Sequence, residues 1–310
     1  MSATARTVVS SSPSFGRYSQ EPVELLRAAG CQVRLLERGD TAALLAALPE
    51  ADAWITGFEP VDASTLSEAT RLKVVAKCGA GMDNFDMAYL AGRGIGTVNV
   101  PGGNAGAVAE YTIAQVLALA RGVVVNDAGV RAGRWAPTIG MSLQGRTLGV
   151  VGFGAIGREV GRLAAALGMQ VVVADPVVDP AAVQAAGATR VGLEDLLRSA
   201  DVVTLHVPLG EGTRHLVGPA ELAAMPDHAL LVNNSRGGVV DEVAVAAALH
   251  AGTLGGAALD VFEREPLPAD DPLRDAPRLL LSSHTAGYSD AALALVTRRC
   301  AEQLLAALDA

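Results

Sequence analysis

The segment Val150-Val151-Gly152-Phe153-Gly154-Ala155-Ile156-Gly157 carries glycines at a spacing suited to a dinucleotide phosphate, and Asp175 follows at a distance suited to a ribose. Each residue type has a separate physical task. Gly152 permits a tight strand-to-helix turn. Gly154 lets the backbone approach a pyrophosphate, and Gly157 lets the helix lie close on its strand. The N–H groups opening that helix attract the phosphate charge. Asp175 can accept hydrogen bonds from the adenosine ribose hydroxyls, and its charge would repel the extra phosphate of NADP. The cofactor expected is therefore NAD(H). Arg158, just inside the helix, is either a pyrophosphate contact or a solvated helix arginine.

A nicotinamide cofactor that works on an alcohol or carbonyl needs a neighbouring acid/base, and a fixed cation where the substrate is a carboxylate. The chain has five histidines: His206, His215, His228, His250 and His284. His284, in Ser282-Ser283-His284-Thr285-Ala286-Gly287, follows a strand end, where such domains expose functional groups. His206 also ends a strand and could line the cofactor pocket, while the other three read as surface or packing residues. Arg236 follows a buried strand beside Gly237 and Gly238, which leave its guanidinium accessible. Asp260, Glu263 and Glu265 follow the next strand. Singly, each has a plainer role: a strand-end arginine in a structural salt bridge, a solvated glutamate before Pro266.

The elements that must position these groups alternate. Short apolar runs at Thr7–Ser11, Gln32–Leu36, Ala53–Thr56, Lys73–Lys77 and Thr97–Val100 read as strands, with helices between most of them, such as Glu24–Ala29 and Thr41–Leu48. Leu148–Val151, Gln170–Ala174, Val202–His206, Ala229–Asn233, Gly256–Leu259 and Leu279–Ser282 form a second series, with a helix at Gly157–Leu167 and a long loop at Glu263–Pro277. The expectation is an α/β protein with two Rossmann/flavodoxin-like doubly wound parallel-sheet domains flanking a cleft. Residues 1–100 plus 288–310 would form the substrate-binding domain, and 101–287 the NAD-binding domain. Asn104–Arg121 would be a long helix crossing to the second domain, and Ser289–Leu308 a helix returning to the first.

Composition sets the limits. The 310 residues are 50% hydrophobic but only 4% aromatic, so the core must be built mainly from Ala, Val and Leu. A net charge of −9 argues against a general nucleic-acid or anionic-membrane surface. The N-terminal stretch lacks a signal-peptide apolar region, and the longest membrane candidate, Tyr111–Val125, contains Gln115 and Arg121. Cys31, Cys78 and Cys300 are widely separated and lack metal-type spacing. A cytoplasmic protein without a metal is expected.

The motifs taken together resemble a known family. Gly79-Ala80-Gly81-Met82-Asp83-Asn84, Val150–Arg158, Asn233–Glu242, Asp260–Pro266 and His284–Gly287 are similar, in order, to five signature segments of the D-isomer-specific 2-hydroxyacid dehydrogenases. The closest likeness is to short phosphoglycerate dehydrogenase-like members without a regulatory tail. The resemblance implies that Arg236 binds the substrate carboxylate and carbonyl oxygen, that His284 is the general acid/base, and that Glu265 orients and charges His284. It implies substrate N–H donors at Gly79, Ala80 and Gly81. It implies cofactor contacts at Gly154, Ile156, Arg158, Asp175, His206, Pro208, Thr213, Asp260 and Gly287, with Asp260 near the nicotinamide. A homodimer built around the second domain is implied too, with Val123-Val124-Val125 as a candidate contact stripe; for any one of these valines, intramolecular core is the plainer expectation.

Substrate choice turns on departures from the family pattern. Phosphoglycerate dehydrogenases carry an arginine after the third strand of the first domain, where this chain has Thr56-Gly57-Phe58-Glu59. Lys77 partly replaces a second, and Trp135-Ala136-Pro137 offers no third, with Arg131 and Arg134 nearby. Glu59 would repel a phosphate. Small unphosphorylated 2-keto acids such as glyoxylate, hydroxypyruvate or pyruvate therefore fit at least as well as the phosphorylated substrate, with 3-phosphoglycerate dehydrogenase as the alternative. The competing readings are a related dehydrogenase that oxidises another small anion, such as formate or phosphite, with the same residues, and a non-enzymatic NAD-sensing corepressor.

Overall fold

The computed structural model describes residues 5–310; residues 1–4, which open the first domain and the N-terminal stretch that lacks a signal-peptide pattern, lie outside the described residues. Contacts divide the chain into two compact units. One runs up to Asn104 and takes in Tyr288–Ala310; the other is Ala105–Gly287.

The first unit holds β1 (Thr7–Ser10), β2 (Gln32–Leu35), β3 (Ala53–Thr56), β4 (Val74–Lys77) and β5 (Gly96–Val98), all parallel, in the order β2-β1-β3-β4-β5. That is the flavodoxin-like doubly wound order. Its central strands β1, β3 and β4 are covered on both faces. Val8, Ile55 and Ala76 pack toward one apolar cluster, and Val9, Trp54 and Val75 toward another. The helix Asp290–Asp309 belongs to this unit, where it packs on β4 and β5 and buries Val296, Cys300 and Leu304. Ser289 starts it by accepting a hydrogen bond from the Ala292 N–H.

The second unit holds β6 (Thr147–Val151), β7 (Gln170–Ala174), β8 (Thr189–Arg190), β9 (Val202–Leu205), β10 (Leu230–Asn233), β11 (Gly256–Leu259) and β12 (Leu279–Leu281). The order is β12-β11-β10-β9-β6-β7-β8, again parallel throughout. Strand order reverses between β6 and β9, so the ends of these two strands make the switch point at which open α/β sheets bind ligands. β6, β9, β10 and β11 are buried almost completely, which explains their unbroken apolar sequence.

Local differences from expectation have local causes. The first helix begins at Glu21, because Pro22 is suited to a first helical turn. The helix after β6 begins at Ala155, with Gly154 as its cap. The apolar stretch Tyr111–Val125 is not continuous: Ala105–Arg121 ends at Gly122, whose φ of +61° turns the chain by 61° into a second helix, Val123–Arg131. Among the described residues no single helix is long and apolar enough to cross a membrane. The expectation that Val123, Val124 and Val125 pack inside the chain is corrected, since each is at least half exposed. The short strand β8 leaves no trace in the sequence pattern, because two residues carry no periodicity to read.

Candidate active site

The glycine turn is fixed by crowding. β6 and β9 pair with Val151 opposite Leu205, so Gly152 meets the backbone of His206. A Cβ on Gly152 would lie 2.5 Å from the His206 carbonyl oxygen, and its φ is +88°. A Cβ on Gly157 would lie 2.1 Å from the Gly152 carbonyl oxygen. No atom stands within 4 Å of the Cβ position of Gly154. The turn is thus packed at its first and third glycines and open at its second. Ile156 and Gly157 lie in the first turn of a helix whose opening N–H groups have no side-chain cap.

Asp175 has a second task that its spacing does not reveal. Its carboxylate accepts from the N–H of Phe153 at 2.8 Å, Val177 at 2.9 Å and Val178 at 3.0 Å, locking the glycine turn to the end of β7. Burial works against its charge, yet those N–H donors and Arg190 prevail and hold its pKa below the usual carboxylate value. Arg158 is exposed, yet it donates to the Phe153 carbonyl at 3.0 Å and lies over the Phe153 ring. A cavity of about 790 Å³ opens beside Asp175, walled by Val151, Ala174, Val191, Leu193, Val207 and Leu216. Thr213 also lines it, while its hydroxyl donates to the Pro208 carbonyl at 2.6 Å and closes that loop.

These residues fit a dinucleotide. Gly154 is an open approach, the cavity is apolar with a carboxylate at its rim, and among the described residues neither ring nitrogen of His206 has a hydrogen-bond partner although both are shut off from water. Burial pushes the His206 pKa down to about 4, so the ring is neutral. An orphaned buried imidazole is costly unless a ligand satisfies it.

The other side chains converge at the ends of β10, β11 and β12. Asn233 shapes the first loop: its Nδ2 donates to the Arg236 carbonyl at 2.9 Å, and its Oδ1 accepts from the Ser235 hydroxyl at 2.6 Å. Arg236 donates through Nη1 to the Ser235 carbonyl at 2.7 Å. A Cβ on Gly237 would lie 1.9 Å from the Phe262 carbonyl oxygen, so glycine is what lets the Arg236 loop lie against the loop after β11. In that second loop Glu265 Oε1 accepts from the Phe262 N–H at 3.1 Å, and Oε2 stands 2.8 Å from His284 Nδ1. Burial raises the Glu265 pKa, but the His284 hydrogen bond and charge, the Phe262 N–H and Arg236 outweigh it, so the carboxyl is held below its ordinary value and is ionised. Glu263 instead meets His215 Nε2 at 2.5 Å, and its N–H donates to Glu242 at 2.7 Å. Glu242 is pushed up to about 7, by burial first and then by Glu263, Asp271 and Glu265 around it, with the Glu263 N–H opposing.

His284 sits at a φ of +54°, a conformation that costs a non-glycine residue about 1 kcal/mol or more. Asp260, buried at the end of β11, holds it there. The Asp260 carbonyl accepts from the His284 N–H at 2.8 Å, and its carboxylate accepts from the Thr285 N–H at 2.9 Å and the Ala286 N–H at 2.8 Å. Sequence reasoning points to Asp260 as a nicotinamide neighbour; it misses the hold of Asp260 on the 284–287 loop, which ends at Gly287.

In the first unit, Lys77 ends β4 and is tied into its own neighbourhood. Its ammonium contacts the Gly57 carbonyl, donates to Asn84 Oδ1 at 3.1 Å, and lies 5.4 Å from the centre of the Phe58 ring. The Gly79-Ala80-Gly81 turn follows, with the Gly79 carbonyl accepting from Val100 N–H at 2.8 Å and the Ala80 carbonyl accepting from Asn99 at 2.6 Å. Glu59 Oε2 accepts from the Thr56 hydroxyl at 2.8 Å, Gly57 N–H at 3.0 Å and Phe58 N–H at 3.1 Å. The donors this loop could offer an anion are therefore directed at its own carboxylate. Cys78 and Cys300, far apart in sequence, lie in one apolar cluster of this unit; the neighbouring Cys300 thiol brings Cys78 down to about 7 against the effect of burial, helped by Ser14, Ser12 and Lys77. Arg131, a possible phosphate ligand on sequence, pairs with Asp127 one helical turn away.

Comparison with known proteins gives the same direction. Residues 113–286 match the family model described as D-isomer specific 2-hydroxyacid dehydrogenase, NAD binding domain. The chain is 40% identical over 254 residues to a glyoxylate reductase of Korarchaeum cryptofilum, covering 80% of this chain and 76% of the relative. It is 36% identical over 271 residues to a D-3-phosphoglycerate dehydrogenase of Archaeoglobus fulgidus, covering 86% of this chain but only 51% of that protein, so it spans about half of this relative's length. Among solved structures, D-lactate dehydrogenase from Aquifex aeolicus, complexed with NAD and lactic acid, superposes with a TM-score of 0.85 at 26% identity, covering 97% of this chain and 95% of that one.

Proposed function

Because the chain belongs to the D-isomer-specific 2-hydroxyacid dehydrogenase family, we propose that it interconverts a small, unphosphorylated 2-keto acid and the D-2-hydroxy acid with NAD(H). The observation that carries this reading is the Glu265–His284 pair at 2.8 Å, one loop away from Arg236. The second unit, with Gly152, Gly154, Ile156, Gly157, Arg158, Asp175, His206, Pro208, Thr213, Asp260 and Gly287, is assigned to the cofactor; Lys77, Gly79, Ala80 and Gly81 of the first are assigned to the substrate.

When bound, NADH would supply hydride for C2 of the keto acid. Arg236 holds the carboxylate with charge-assisted hydrogen bonds. Glu265, ionised, keeps a proton on Nδ1 of His284 and stabilises the imidazolium. His284 then delivers the proton from Nε2 to the carbonyl oxygen as that oxygen gains charge, and takes it back in the oxidative direction.

Glu59 supports the unphosphorylated class, since a second anion at the donors it occupies would meet its charge. The test is NADH consumption by the purified protein with glyoxylate, hydroxypyruvate, pyruvate and 3-phosphohydroxypyruvate, with NADPH in parallel. We expect turnover of an unphosphorylated acid with NADH. Strong preference for the phosphorylated acid would replace this reading with that of a phosphoglycerate dehydrogenase, and NADH binding without any turnover would favour a sensor.

We further propose a homodimer. Val123, Val124, Val125 and Val130 are each at least half exposed, Trp135 is 90% exposed and Ile139 fully so, all within one segment of the second unit. So many exposed apolar side chains on one segment are characteristic of a subunit interface. Light scattering should give twice the chain mass, and Val124→Asp should yield a monomer; a wild-type monomer at micromolar concentration would refute it. Free Cys31, Cys78 and Cys300 suit a reducing compartment, and we assign the cytoplasm.

A further inference from the structure

A buried file of polar side chains runs across the second unit and stops at the loop that carries His284. Thr112 and Gln115 lie on the helix Ala105–Arg121, one turn apart, and both are buried. Asn234, just past β10 and also buried, donates through Nδ2 to Thr112 Oγ1 at 2.9 Å and to Gln115 Oε1 at 2.9 Å. Gln115 Nε2 donates to Ser282 Oγ at 3.4 Å. Ser282 Oγ donates to Asp260 Oδ1 at 2.5 Å, the oxygen that also accepts from Thr285 N–H. From Asn234 through Gln115 and Ser282 each donor points toward the Asp260 carboxylate, while Thr112 Oγ1 donates out of the file to the Val108 carbonyl at 2.7 Å. With the Asn234 amide as it stands, turning the Gln115 amide over would face its N–H groups against those of Asn234 and its oxygen toward a Ser282 hydroxyl already committed to Asp260. Hydrogen bonds in such a file polarise one another, and this one ends on a charge.

We propose that Gln115, acting through Ser282 and Asp260, is a positioning residue for His284. Three bonds from Asp260 keep the 284–286 backbone in a conformation it would otherwise leave. The His284 N–H bond goes to the Asp260 main-chain carbonyl, whereas the two that hold Thr285 and Ala286 depend on its carboxylate being fixed. Ser282 fixes it on one side, and Gln115 fixes Ser282 by occupying its acceptor position. Gln115 touches neither the reacting atoms nor Glu265; it sets where His284 stands. The catalytic part of this inference rests on the acid/base reading of His284.

The test compares Gln115→Leu, Ser282→Ala and Ser282→Thr in the full chain. Hydrogen exchange of the 282–287 segment needs no substrate. We expect it to rise about tenfold in Gln115→Leu and Ser282→Ala, the worth of one hydrogen bond, and to stay at the wild-type rate in Ser282→Thr, which keeps the hydroxyl. The first two should also lose about tenfold in kcat with KM and NADH affinity within about twofold, and a larger isotope effect with deuterated NADH as hydride transfer becomes limiting. Unchanged exchange in both variants would overturn the proposal, as would raised exchange with undiminished kcat. If the wild-type protein reduces no 2-keto acid, the functional reading fails on its own, while the exchange comparison still decides whether the file holds the loop. Should Gln115→Leu not fold, the Ser282 pair carries the same decision.

Discussion

Replacing His284 with alanine or glutamine should lower kcat for keto-acid reduction by about 10²–10⁴, equivalent to roughly 3–5 kcal/mol of barrier, and leave NADH affinity nearly unchanged. Without this imidazole the carbonyl oxygen gains its charge with no positioned acid beside it. Glutamine is the sharper variant, because its amide can still hydrogen-bond Glu265 but cannot transfer a proton. Cofactor binding should survive, since the glycine turn, Asp175 and His206 stand on β6, β7 and β9, whereas His284 follows β12. Steady-state kinetics with fluorescence titration of NADH separates the two quantities. Wild-type turnover in His284→Gln would remove His284 from the mechanism, and equal loss of turnover and NADH affinity would make it a cofactor ligand instead.

His284 is legible in the sequence because of the α/β architecture. Parallel strands show as short apolar runs, and function gathers just past their carboxyl ends, so a histidine after such a run stands out in one dimension. The glycine turn is legible for a related reason: Gly152 and Gly157 are required by contacts within a few residues of each other or with the adjoining strand end. What stays hidden depends on chain segments distant in sequence. Asp175 clamps the turn at Phe153, and Asp260 clamps the His284 loop, but a carboxylate's choice among backbone N–H groups has no period to read. The file from Asn234 to Asp260 joins residues of four segments and leaves no spacing signal. Gln115 reads as a flaw in an apolar helix, which argues against a membrane span but suggests no partner. The valines at 123–125 mislead in the opposite sense, since apolar character alone does not place a residue in the core, and each is at least half exposed.

Arg236→Lys should raise KM for the keto acid about tenfold to a hundredfold, with a smaller change in kcat. The guanidinium is already fixed at one end, where Nη1 donates to the Ser235 carbonyl at 2.7 Å. Being planar, it can make that bond and still direct other N–H groups at a carboxylate. A lysine ammonium is a single point and must choose between the Ser235 carbonyl and the substrate. The loss is that of one charge-assisted hydrogen bond, about 1.5–3 kcal/mol, which spans the expected range in KM. Arg236 also helps keep Glu265 ionised, and the lysine preserves this charge, so the effect should fall on binding more than on proton transfer. Arg236→Ala removes both and should lower kcat as well; added guanidinium should restore part of the activity to the alanine variant and none to the lysine variant. An unchanged KM in Arg236→Lys would mean that the substrate carboxylate is held elsewhere, and attention would move to the N–H groups of the Gly79-Ala80-Gly81 turn.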